Sequence, residues 1–207
     1  MLHQRYTEQM FSKSSSKKAL IADLQRQISA MGPTLCRPHS PLPTGWPELD
    51  VHIEGWPVPG LTEISAPPGS GRIQLCLPSL SRVSQHHRIA VVDPLAQLYP
   101  PGWNGVRLEH LLVVRPALEK SIWAVEQLAR SGCFALVAVL DPPRLGRTAV
   151  RLVRASEHGA CSVLVWTTEG DVRTPAKIRI QVLDRRKQCL LIRLPHTGAQ
   201  MWLKATG

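Results

Sequence analysis

A chain of 207 residues, 43% of them apolar, suits one domain with an appendage and is too apolar to remain disordered. Its formal charge of +10 favours an acidic partner, either nucleic acid or an acidic protein face. Five cysteines without a C-x-x-C pair and eight histidines without ligand spacing argue against a disulfide framework and a metal site, and the apolar runs "CFALVAVL" and "CSVLVW" are too short to span a bilayer.

The thiols, mostly inside apolar runs, read as free and buried in a reducing compartment. "MLHQRYTEQMF" leads into Ser and Lys rather than an apolar run, so no secretory signal is read and a cytoplasmic protein is expected. Residues 1–16 are polar. In "KKALIADLQRQISAMG", Leu20, Leu24, Ile28 and Met31 share one helical face, with Ser16 as N-cap and Gly32 as stop. That face suits a groove on another molecule; the alternative is that it folds back on its own domain. The following "PTLCRPHSPLPTGWPELD" carries five prolines and reads as an extended, non-helical linker. The organisation expected is therefore a tail and partner-binding helix at 1–32, a linker and entry segment at 33–60, and a core at 61–207.

Within that core, continuous apolar runs predict strands at Leu61–Ala66, Arg88–Asp93, Leu111–Arg115, Phe134–Leu140 and Cys161–Trp166. Helices are expected at Gly71–Gln85, Glu119–Ser131 and Gly146–His158. Unbroken apolar strands alternating with helices specify an α/β fold, a parallel sheet covered on both faces. The tail "AKIRIQVLDRRKQCLLIRLPHTGAQMWLK" alternates apolar and basic residues around a turn and predicts antiparallel strands at a sheet edge.

Between the first strand and helix lies "APPGSGRI", which has the setting of a phosphate-binding loop but not its contents. Such a loop, G-x-x-x-x-G-K-[S/T], uses glycine N–H groups to wrap phosphates, a lysine to bridge them and a hydroxyl to bind magnesium. Here Gly69 and Gly71 remain, but Ala66 stands at the first glycine and Pro67 and Pro68 lack the N–H. Arg72 replaces the lysine, and Ile73 replaces the hydroxyl residue. Pro78 falls inside the expected helix, where it predicts an end or a kink. No catalytic residue, metal ligand or cofactor is assigned.

Two basic clusters stand out. Arg147, Arg151 and Arg154, with Arg144 nearby, form a helical stripe, and Arg185, Arg186 and Lys187 form a basic turn. Solvated faces are the plain reading. The functional one is weak, non-specific DNA contact or contact with an acidic protein, with no aromatic interleaving that would indicate base stacking. Trp46, Trp56 and Trp103 are expected to pin loops, Trp123 and Trp166 to lie in the core, and Trp202 to be a contact residue.

The order "PTGWPELD … GWPVPGLTEISAPPGSGRIQL", then "LLVVRPALEKSIWAVEQLARSGCFALVAVL", resembles the recombinase RecA in collinear order from Lys17 to about Leu194. With a degenerate loop and this size, the chain is similar to the RecA-like ImuA family, which is related to the cell-division inhibitor SulA. The departures are systematic. RecA's catalytic glutamate corresponds to about Leu95, and its Walker B aspartate to Leu140 or, with a one-residue slip, Asp141. Its long DNA-binding loops are replaced by the short "DPPRLGRTAVR" and "TTEGDVRTP". The resemblance implies a non-catalytic accessory of SOS-induced, error-prone translesion DNA synthesis in DNA damage and repair. Its partners would be RecA, an ImuB-type polymerase-like subunit and an error-prone polymerase. By the same resemblance the first helix would dock on RecA or, by self-association, on a second copy of this chain. The alternatives are a SulA-like inhibitor and a weak NTPase using Arg72 and Asp141.

Overall fold

The computed structural model describes residue 22 and residues 40–67, 69–170 and 174–204. The chain divides into two units, Met1–Thr34 and Leu35–Gly207, and the second holds the whole sheet. The expected helix with Leu20, Leu24, Ile28 and Met31 lies outside the described residues.

The core elements follow the apolar runs closely. They are helix α1 (Pro47–Ile53), strand β1 (Gly60–Ser65), helix α2 (Arg72–His86), strands β2 (Ile89–Val92) and β3 (Leu111–Val114), helix α3 (Ser121–Arg130), strand β4 (Leu136–Leu140), helix α4 (Thr148–Gly159), and strands β5 (Ser162–Thr167), β6 (Ile178–Arg186), β7 (Cys189–Leu194) and β8 (Ala199–Lys204). They build one eight-stranded sheet in the order β3-β2-β4-β5-β1-β6-β7-β8. From β3 to β6 every pairing is parallel, and β7 and β8 are antiparallel additions. The expected α/β architecture with antiparallel C-terminal edge strands is present. One detail differs: β6, the first tail strand, pairs in parallel with β1 and only its other edge begins the antiparallel ribbon.

The central strands are buried on both faces, which is why they lack polar alternation. β2 and β4 are buried throughout, and β1 and β5 are buried up to their last residue. Each fully buried Val, Leu or Ile contributes roughly 1.5–3 kcal/mol, so these runs supply much of the driving force. The side of the sheet carrying Ile64, Val91, Ala138 and Leu164 packs with Leu75, Leu80, Trp46 and Trp56 in one cluster. On the opposite side α3 lies over β4 and β2, and α4 over β1 and β5.

The entry segment corrects the sequence reading. Its prolines predict an extended, non-helical chain, yet α1 begins at Pro47, and Leu42, Trp46, Leu49 and Trp56 are core residues. Proline at the first helical position loses no bond, because that N–H has no intrahelical partner, and its fixed φ already suits a helix. The segment clasps the middle of α2. The Trp46 indole donates to the Leu75 carbonyl at 2.7 Å, and the Trp56 indole donates to Ser79 Oγ at 2.8 Å. Gly45, at φ +85°, lies so close to Pro78 that a Cβ would come within 2.4 Å of the ring's Cβ. Helix α2 therefore runs through Pro78 instead of ending there, with tertiary contacts at the point where proline removes a backbone bond.

Trp103 and Trp166 are buried as expected, whereas Trp123 is only half-buried. Among the described cysteines Cys76 and Cys161 are buried, but Cys133 and Cys189 are half-buried because they sit at element ends. Among the described residues no helix is long and apolar enough to cross a membrane.

Candidate functional site

The loop between β1 and α2 sits at the C-terminal edge of the parallel strands, where open α/β sheets bind ligands. Ala66 is buried and extends the sheet, its N–H donating to the Thr167 carbonyl at 3.0 Å. Ser70 closes the loop on itself: its N–H donates to the Pro67 carbonyl at 3.2 Å and its hydroxyl to the same oxygen at 2.5 Å. With Pro67 and Pro68 lacking N–H groups, three of the loop's backbone donors are absent or spent. Gly71 is required where it stands. Its φ is +100°, and a Cβ there would lie 2.6 Å from Leu190 Cδ2.

Arg72, the first residue of α2, does not point to a place where phosphate could sit between it and a metal. Its guanidinium is 6% exposed and forms a bidentate pair with Asp141, Nη1 to Oδ1 at 2.7 Å and Nη2 to Oδ2 at 2.5 Å. Asp141 follows the last residue of β4 in a left-handed conformation, φ +43°, anchored by its N–H donating to the Trp166 carbonyl at 2.8 Å. Thr168 Oγ1 donates to its Oδ1 at 3.3 Å. The fork geometry of arginine matches a carboxylate as it would a phosphate, so the acid occupies the donors that an anion would need. Ile73, half-buried beside this pair, offers no oxygen to a cation. These residues do not fit magnesium nucleotide.

Two cavities flank the pair. One, of about 390 Å³, is lined by Gly69, Gly71, Arg72, Ile73, Gln97 and Arg185. The other, of about 550 Å³, brings together the short loops after β4 and β5, with Glu63, Asp141, Arg144, Thr168, Glu169 and Thr174 on its walls. Glu63 is buried, accepts from Thr174 Oγ1 at 3.1 Å and faces Arg179 Nε at 3.4 Å. Among the described residues, three acids and one arginine line this cleft.

Other expected residues fall apart or change partners. Leu95 is 49% exposed, with no carboxylate at its position. The nearby Asp93, which sequence reasoning passed over, is fully buried. It accepts from the N–H groups of Gln97 and Leu98 at 2.9 and 3.0 Å and pairs with Arg115 at 3.5 Å, so it shapes the loop carrying Leu95. Arg144, Arg147, Arg151 and Arg154 are all exposed. Arg151, however, bonds Glu126 of α3, which Arg130 also holds at 3.2 Å, so the stripe is partly an inter-helix clamp.

The basic turn splits because neighbouring strand residues point to opposite faces. Arg185 joins the loop cavity, Lys187 stays exposed in the turn, and Arg186 lies over the Trp202 ring, 5.2 Å from its centroid. For the basic turn, though not for the helical stripe, the expectation of no neighbouring aromatic is therefore overturned. Strand pairing brings Trp202 beside a residue sixteen positions away in sequence, which spacing alone cannot register. Thiol chemistry is not available in the core. Burial pushes Cys76 up to about 12, against a hydrogen bond from the Trp166 indole at 3.2 Å, and pushes Cys161 to about 12 as well. Among the described residues no group of three or more His, Cys, Asp or Glu could hold a metal ion.

Compared with known proteins, the chain matches no family model and no curated protein.

Proposed function

We propose that this chain is a RecA-like accessory protein of the ImuA type that works in the cytoplasm. It acts without ATP hydrolysis as an adaptor between RecA and a mutagenic, ImuB-containing polymerase complex during error-prone translesion synthesis. The observation that carries the reading is the part-buried, bidentate Arg72–Asp141 pair. The two positions at which a hydrolytic relative would hold phosphate and metal are bonded to each other instead. The mainly parallel sheet, with a strand–loop–helix at its edge, supports the kinship without supplying the chemistry.

Equilibrium dialysis with labelled ATP tests the loss of activity: no binding that depends on magnesium is expected, and tight ATP·Mg binding with turnover that disappears in Arg72→Ala refutes it. The adaptor role rests on the first helix. Full-length protein bearing Leu24→Asp should lose capture of RecA and ImuB from damaged cells while the melting temperature of the core stays unchanged. Capture that survives the substitution moves the contact elsewhere, and loss of folding shows that the helix packs on its own core.

A further inference from the structure

Strands β6, β7 and β8 extend past the helices on one side of the sheet. Their inner residues Val182, Leu190, Ile192 and Leu203 are buried in the core. On the outer side, Arg186, Arg193, Gln200, Trp202 and Lys204 are exposed and Leu191 is half-buried. The register arranges this outer side in rows: Arg186, Cys189 and Lys204; then Asp184, Leu191 and Trp202; then Gln181, Arg193 and Gln200. Among the described residues, α3 and α4 cover β1, β2, β4 and β5 and leave this ledge open.

The composition of the ledge narrows its occupant. Three cations, Arg186, Arg193 and Lys204, stand against one carboxylate, Asp184, which already faces Arg186 Nε at 3.0 Å. The complement is a polyanion. At the centre lies Trp202, 38% exposed, with the Arg186 guanidinium stacked on it. An exposed indole on an edge strand is a liability unless it meets something flat and apolar. Duplex DNA offers charge but keeps its base faces stacked inside. An acidic peptide offers charge but few rings. A single strand offers both phosphates and free base faces, the combination that basic grooves with aromatic platforms bind without sequence preference.

From this geometry we infer that the outer face of β6–β7–β8 binds single-stranded DNA, with Trp202 and the Arg186 plane stacking bases and Arg193 and Lys204 meeting phosphates. The site is separate from the degenerate loop, and the inference holds whether or not the adaptor reading does.

The test is fluorescence anisotropy of a labelled oligothymidylate of about 15 nucleotides, titrated with the full chain at several salt concentrations. Binding that weakens with salt is expected. Trp202→Ala should weaken it about tenfold or more, Trp202→Phe should largely retain it, and Arg193→Gln and Lys204→Gln should each lower the log–log salt slope by about 0.7. Circular dichroism checks each variant. If Trp202→Ala unfolds, Trp202→Phe and the two glutamine variants decide the matter. Failure of the wild type to bind overturns the inference, as does binding that the folded ledge variants leave unchanged. Equal dependence on Trp202 of polyglutamate binding also overturns it, assigning the ledge to an acidic protein.

Discussion

Arg72→Ala is expected to lower the unfolding free energy by about 3 kcal/mol, because it leaves the part-buried Asp141 carboxylate without its cation. This is the lower end of the usual range for breaking a buried pair, since Asp141 is 19% exposed and Thr168 still donates to it. Arg72→Lys should recover only part of the loss, as one ammonium cannot reproduce two parallel bonds. The more telling variant removes both charges. Arg72→Met with Asp141→Asn keeps the bulk of the first side chain and a residue that tolerates the φ of +43° at the second. It should lie within about 1 kcal/mol of the wild type, because exchanging a buried pair for neutral groups is nearly balanced. Urea denaturation of the wild type, Arg72→Met, Asp141→Asn and the double variant forms a double-mutant cycle. A cost below about 0.5 kcal/mol for Arg72→Ala would mean that the pair is not a fixed feature of the loop, and the site would not be sealed by it.

That pair also marks how far a sequence can be read. The strands and helices of the core were legible to within about two residues, because burial on both faces forces unbroken apolar runs and helices must alternate with them. The defects of the loop were legible too, since each is a residue type at a fixed place in a short motif. What Arg72 does instead was not, because its partner is 69 positions away and depends on the sheet setting the end of β4 beside the start of α2. The same limit hid Glu126 between Arg130 and Arg151, and Trp202 beneath Arg186. In each case local spacing names the charge, and only the topology names its partner. The entry segment failed for a different reason. Five prolines between 33 and 50 suggest an extended chain, but proline forbids a helix interior and not a helix start.

Trp56→Ala addresses that failure directly and should cost about 4–5 kcal/mol, close to the whole stability of a marginal domain. Trp56 is fully buried, and its backbone pairs in both directions with Leu42, N–H to carbonyl at 2.7 and 2.9 Å. Truncation opens a cavity the surrounding sheet and α2 cannot close without moving, and it leaves the buried Ser79 hydroxyl without its donor. Trp56→Phe separates these terms: it retains most of the volume and should cost about 1–2 kcal/mol, the smaller ring and the lost hydrogen bond together. A linker would behave otherwise, since its residues could be truncated at a cost within about 0.5 kcal/mol. Guanidinium or urea melts of the two variants therefore distinguish a segment that belongs to the core from one that only leads to it. If Trp56→Ala melts with the wild type, then α1 and the bridge at Leu42 are detachable, and the clasp around Pro78 does not stabilise α2.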